Sequence, residues 1–208
     1  MDLPTEERIR ELRDYYRLPV DVLSHIGVVK KTVLYLATEL NKAGEGYNLE
    51  LLSAAADLHD LGKFADIKRP ELGEREKFGF SPILEENFVF WEEEIAKFPE
   101  DYNHEDIAAE VLKDYSELVE VVLNHTPRQI LKEGLSKEAI LLNYVDKRAS
   151  NHHVVTLEQR FAYLAERYLG HEDSGTKKIF DRYKQIETDI FNKLGFPAEE
   201  LGERMKHE

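Results

Sequence analysis

Six residues could together do chemistry: His25, the adjacent pair His59-Asp60, His104, His125 and Asp146. An imidazole and a carboxylate side by side near the end of an apolar stretch, Leu58-His59-Asp60-Leu61-Gly62-Lys63, are costly to bury unless something takes up both. A metal ion does so. The chain contains no cysteine, which excludes disulfides, thiolate zinc sites and cysteine nucleophiles and leaves nitrogen and oxygen as ligands. Iron, manganese, cobalt, zinc and magnesium all accept such a set. A lone histidine is usually a core or surface residue; six candidates that each lie on or beside an inward helical face call for a common explanation. Lys63 lies four residues after His59 and three after Asp60, on the same side if the helix persists. There it is placed to stabilise charge on phosphoryl oxygens or assist a leaving group. Arg128, Lys147 and Arg148 are further candidates for phosphate contacts.

The elements that must position these residues read as helices. Thr5 is placed to cap a helix from Glu6 to Tyr16, ended by Pro19. Asp21 is expected to cap a long second helix, with Val22, Ile26, Val29, Val33, Leu36 and Leu40 at helical spacing and Ala43-Gly44-Glu45-Gly46 closing it. A third runs from about Asn48 to the His-Asp pair, with Gly62 as a loosening point or C-terminal cap. At about 1.5 Å per residue, His25 lies roughly 28 Å before the Gly44 turn and His59 roughly 20 Å after it, so the hairpin brings them within a turn or two of one level. Asn103 and Asp106 make a capping box at the start of the helix carrying His104. An unbroken helix would hold His104 and His125 about 32 Å apart. A fold-back near Asp114-Tyr115-Ser116, with Ser116 as a second N-cap, returns both to one end. Ser136 caps the last informative helix, whose stripe reads Ala139, Leu142, Asp146, Ala149, His153 and Leu157; His153 is expected beside the site or in the core. His152 follows the same carboxylate, and His171 and His207 read as surface residues.

The expected fold is all-α, a single-domain helical bundle over 1–208. No strand-like alternation, repeat, P-loop or GxGxxG motif is present. Residues 66–103 read as an irregular, aromatic-rich insertion carrying Phe78, Phe80, Phe88, Phe90 and Trp91, which either cover the core or form a substrate lid. Residues 176–208 read as a C-terminal helical extension, frayed from Gly202 onward. No leader or membrane span is evident, so a cytoplasmic protein is expected. A net charge of -14 disfavours long nucleic acid as a partner, because counterion release needs a basic surface. A small phosphorylated substrate remains open if metal supplies the positive field locally.

The ordered set His25, His59-Asp60 and Asp146 resembles the signature of HD-domain phosphohydrolases, and the resemblance runs from about 21 to 168. It implies a metal-dependent phosphohydrolase acting on a nucleotide or similar small phosphorylated compound. His104 and His125, falling between the pair and the last aspartate, resemble the extra ligands of the subgroup that binds two metals. That resemblance assigns His25, His59, Asp60 and Asp146 to one divalent ion and makes Asp60 a bridge to a second held by His104 and His125, with Asp60 and Lys63 acting in catalysis. The run His125-Thr126-Pro127-Arg128, followed by Ser136 to Lys147, also resembles bacterial dinucleotide-polyphosphate hydrolases of this superfamily; the long aromatic stretch after Lys63 departs from them. Two divalent ions outweigh Asp60 and Asp146 in charge and lower the pKa of a bound water toward 7, supplying hydroxide for attack on phosphorus. Two alternatives use the same residues: a mixed-valent di-iron oxygenase, and a regulatory module that binds a nucleotide without turnover.

Overall fold

The computed structural model describes residues 2–67, 82–165 and 174–206. Among these the chain is helical with no strand; one isolated antiparallel bridge joins Ala149 to Val154. The α-helices are α1 (Glu6–Tyr15), α2 (Val20–Lys42), α3 (Leu49–Leu58), α4 (Glu85–Ile95), α5 (His104–Val111), α6 (Ser116–Leu123), α7 (Lys137–Asp146), α8 (Leu157–Leu164), α9 (Ser174–Leu194) and α10 (Leu201–Arg204). No described helix is long and apolar enough to cross a membrane.

The α2–α3 hairpin is the frame. Both glycines of its turn take positive φ, Gly44 at 91° and Gly46 at 67°, and the Asn41 side chain clamps the turn by donating to the Tyr47 carbonyl at 2.9 Å and accepting from the Tyr47 N–H at 2.5 Å. Ala54, Ala55 and Ala56 keep the buried face of α3 thin, and α7, with Leu141, Leu142 and Val145 buried, packs against both arms. Asp57 on α3 is held by Arg13 of α1 at 3.0 Å and by Lys30 of α2 at 2.6 Å, so a buried carboxylate staples three helices.

Several expectations are corrected at helix ends. Pro19 occupies the N-cap of α2, and Asp21 is a buried residue of its first turn. Ser116 is the first residue of α6, with Tyr115 at the N-cap and no side-chain cap bond, although the fold-back itself falls where expected. The third correction concerns 66–103: Glu85–Ile95 is a regular helix, not an irregular excursion, because Phe88 and Trp91, three apart, bury one face while the Trp91 indole N–H donates to the Tyr16 carbonyl at 2.8 Å. Phe78, Phe80 and the rest of 68–81, part of the possible lid at 66–103, lie outside the described residues. The described part of the tail, 202–206, is helical to Arg204 rather than frayed, with Met205 buried behind Leu201.

α7 stops at Asp146, so its stripe does not continue to His153 and Leu157 as one helix. Instead the chain turns at Ser150, whose N–H donates to the His153 carbonyl at 2.9 Å. His153 is left exposed, neither core nor beside the site, and His152 is exposed with it.

Candidate metal centre

The six expected residues reach one place from five parts of the bundle. His25 comes from the second turn of α2, and Asp146 from the last residue of α7, which lies against α2. His59 and Asp60 follow α3 directly, where the helix loosens into a turn and then a 3₁₀ segment, Lys63–Asp66. His104 opens α5 behind an Asn103/Asp106 capping box, and His125 closes the return arm just after α6. All six are buried.

The hydrogen bonds on the outer ring nitrogens set the direction of the inner ones. His59 Nδ1 donates to the Ala56 carbonyl at 2.8 Å and His125 Nδ1 to the Val122 carbonyl at 2.6 Å. His104 Nδ1 lies 2.8 Å from Asp66 Oδ2 and 3.2 Å from Glu105 Oε2, and His25 Nδ1 lies 3.4 Å from the Ser150 carbonyl. Carbonyls and carboxylates only accept, so the Nδ1 protons of His59, His104 and His125 sit there and their Nε2 atoms carry inward lone pairs, whereas His25 has an acceptor on each ring nitrogen.

Those inward atoms converge on one another and on the buried carboxylates. His104 Nε2 and His125 Nε2 face one another at 3.2 Å, and His25 Nε2 faces Asp146 Oδ1 at 2.7 Å. His59 Nε2 is buried with no hydrogen-bond partner at all. Acceptors turned on acceptors are repulsive unless a cation lies among them, and a buried orphan nitrogen is costly. Ligands about 2.1 Å from one ion stand about 3.0–3.4 Å apart at right or tetrahedral angles, which is the scale seen here. The residues therefore fit a metal.

Asp60 is disposed toward both ends of the cluster. Its Oδ2 lies 3.7 Å from His59 Nε2, while its Oδ1 lies 3.8 Å from His104 Nε2 and 3.6 Å from His125 Nε2. Two metal-competent groups result, His25-His59-Asp60 and Asp60-His104-His125, with Asp60 common to both. Asp146 joins the first group through His25 and through His59, 3.8 Å from its Nε2.

The electrostatics keep the ligands in their metal-binding forms. Burial pushes the His59 imidazole down to about 4, against the pull of Asp60 and Asp146, so it is neutral at pH 7. Burial opposes ionisation of Asp60, but the neighbouring His59 and Lys63 outweigh it and hold the carboxyl well below its usual range. Asp146 is likewise held low against burial, by the ammonium of Lys147 and the bond to His25.

The expected phosphate contacts separate into three cases. Lys63 stays at the rim, partly exposed, with its Nζ 2.9 Å from Asp66 Oδ2. Lys147 is buried against the Asp146 carboxylate, and burial lowers its pKa. Arg128 is exposed on the 3₁₀ turn two residues beyond Thr126. Arg148 is turned away from the cluster: it is buried in an ion pair with Glu187 at 2.6 Å, with further bonds to Tyr144 Oη and the carbonyls of Val155 and Ala198. Its expected role as a phosphate contact is not supported, because α7 ends at Asp146 and successive side chains diverge there.

Two residues that carry no signal in the sequence, and one whose role differs from the expected one, matter to the site. Asp66 and Glu105 hold His104 from outside. Gly62, expected as a loosening point or C-terminal cap, does sit where the helix loosens, but its φ of -80° is ordinary; it is glycine because a Cβ there would lie 2.0 Å from the His104 carbonyl oxygen. His171 and His207 lie outside the described residues.

A family model described as HD domain matches residues 22–169. No curated protein and no solved structure matches the chain. Members of that family are generally metal-dependent phosphohydrolases, and the His/Asp cluster of this chain is compatible with their type of metal site. With the match covering most of its length and the all-α fold in agreement, the chain belongs to the HD domain family.

Proposed function

We propose that this protein is a two-metal phosphohydrolase that cleaves a phosphoester or phosphoanhydride of a nucleotide or similar small phosphorylated compound. The observation that carries this reading is the split aim of Asp60, one oxygen toward His59 and the other toward His104 and His125. His25, His59, Asp60 and Asp146 would hold one divalent ion, and Asp60, His104 and His125 the other. When bound, such ions polarise phosphoryl oxygens and provide hydroxide at neutral pH.

The chain's own residues supply the rest. Neutral His59 and the ionised pair Asp60 and Asp146 keep the centre ready at pH 7 without prior loss of protons from the inner atoms. Lys63 at the rim swings from Asp66 to meet a phosphoryl oxygen, and Lys147 and Arg128 are the next cations a phosphate would meet. Asp66 and Glu105 bring two negative charges near the cluster and Lys63 and Lys147 bring two positive ones. The bound ions then leave the pocket cationic within an acidic chain, which selects anionic substrates.

The test is release of phosphate or nucleotide from a panel of nucleoside mono-, di- and triphosphates, dinucleotide polyphosphates and phosphodiesters, with each of manganese, cobalt, iron, zinc and magnesium. Metal-dependent turnover that vanishes in Asp60→Ala is expected. Full metal occupancy with no hydrolysis of any member overturns the reading.

A further inference from the structure

The four histidines of the cluster are not all held from outside by the same chemistry. His59 and His25 rest on backbone carbonyls, of Ala56 and Ser150. His125 rests on the carbonyl of Val122. His104 alone of the four rests on carboxylates, Asp66 at 2.8 Å and Glu105 at 3.2 Å. These two do not hold it equally. Glu105 is adjacent to His104 in the chain and also accepts from the Thr126 hydroxyl at 3.0 Å, which engages it with the neighbour of His125. Asp66 comes from a separate element, the 3₁₀ segment after the His-Asp pair, and carries Lys63 on the same oxygen at 2.9 Å.

A carboxylate on the outer nitrogen of a ligand histidine does two things a carbonyl does less well. It fixes the ring with a charged acceptor, and it raises the electron density that the inner nitrogen offers. We propose that Asp66 is the positioning residue of the second ion: through the Lys63–Asp66–His104 chain it aims the His104 ring and sets the affinity of the Asp60-His104-His125 group, leaving the His25-side group untouched. This rests on the two-ion reading above. A consequence is that Lys63 and the second ion share one support. Drawing Lys63 toward a phosphate frees Asp66 to serve His104 alone, so an anion at the rim and the second ion favour each other.

The experiment is a manganese titration of the full-length, metal-stripped chain, counting free ion by electron paramagnetic resonance, for wild type, Asp66→Asn and Asp66→Ala. Wild type is expected to bind two ions with separable constants. Asp66→Ala is expected to weaken the second constant about 10–100-fold, the usual cost of losing such a partner, with the first constant unchanged. Asp66→Asn retains an acceptor but loses the charge, and is expected to fall between. Inorganic phosphate added to wild type is expected to tighten the second ion, and to do so less in Asp66→Ala. Two ions in wild type with an unchanged second constant in Asp66→Ala overturn the role of Asp66 alone. Equal weakening of both constants also overturns it, because that is the signature of general damage. A single ion in wild type overturns the two-ion reading and this role with it.

Discussion

Gly62→Ala isolates one methyl group against one backbone oxygen, and two physical effects predict opposite signs for it. Gly62 has φ -80° and ψ 1°, a conformation alanine adopts without strain. On chain entropy alone the substitution would stabilise the protein by about 0.4–1 kcal/mol. Against that, the added Cβ would lie 2.0 Å from the His104 carbonyl oxygen and 2.9 Å from its carbonyl carbon, where real contacts essentially never fall under 3.0 Å. The start of α5 must therefore withdraw by about 1 Å, and since the obstacle is backbone it cannot rotate aside. Overpacking of this kind costs about 1–3 kcal/mol, which exceeds the entropy gain and corresponds to a fall in Tm of about 2–12 °C for a chain of this size. Withdrawal of His104 by about 1 Å also exceeds the roughly 0.2 Å tolerance of a metal–ligand distance, so the second ion should be lost while the first remains. The assay is thermal unfolding of the metal-free protein together with metal content at saturation. Gly27→Ala is the control, because Gly27 lies within α2 with nothing within 4 Å of its Cβ position; it should stabilise by about 0.5–1 kcal/mol. A Gly62→Ala protein as stable as wild type with two ions bound would refute the close-approach reasoning.

The metal-free protein should lose stability in acid before its exposed carboxylates protonate. His59 takes a proton at about 4 in the fold but near 6.5 when unfolded, so between those values the unfolded chain binds the extra proton; stability falls with pH from 6.5 to 4 by about 3 kcal/mol. Asp60 and Asp146, held below their usual range, add further loss at lower pH. Urea midpoints at pH 7, 5.5 and 4 measure this, and a flat profile contradicts it. Arg148→Ala should destabilise by about 3 kcal/mol, since Glu187 keeps only Lys184 and Tyr144 as partners; activity per folded molecule should be retained, and its selective loss would return Arg148 to the substrate site. Adding manganese at about 100 times its dissociation constant should raise stability by about 2.7 kcal/mol per site in wild type, and by less in His59→Ala.

What the sequence could and could not reveal follows from where each signal resides. The stripe on α2 and the glycine turn after it are local, so the meeting of His25 with His59 follows from helix rise alone. The pairing of His104 with His125 was legible for a similar reason, since only a fold-back brings two arms of equal length to one end. Asp66 and Glu105 carry no local signal: their role exists only because α5 packs across the 3₁₀ segment and presents Nδ1 to them. Gly62 marks the loosening of the helix as the sequence suggests, but its close approach to His104 is not legible, because a glycine needed for space and one needed for φ look alike in a sequence. The helix Glu85–Ile95 carries buried Phe88, Trp91 and Glu94 at three-residue spacing, a helical period obscured by the proline and glycine residues just before it. His153 departs from expectation because the helix ends at Asp146, short of it, and Arg148 because its partner Glu187 lies in a distant helix that carries no signal near Asp146 in the sequence.

On the proposed reading, six side chains hold two ions with Asp60 between them. The most direct measurement is an anomalous difference map from a crystal grown with manganese. Two peaks are expected, one among His25, His59, Asp60 and Asp146 and one among Asp60, His104 and His125, both in contact with the Asp60 carboxylate. A single peak, or peaks that leave Asp60 on one ion only, would contradict it.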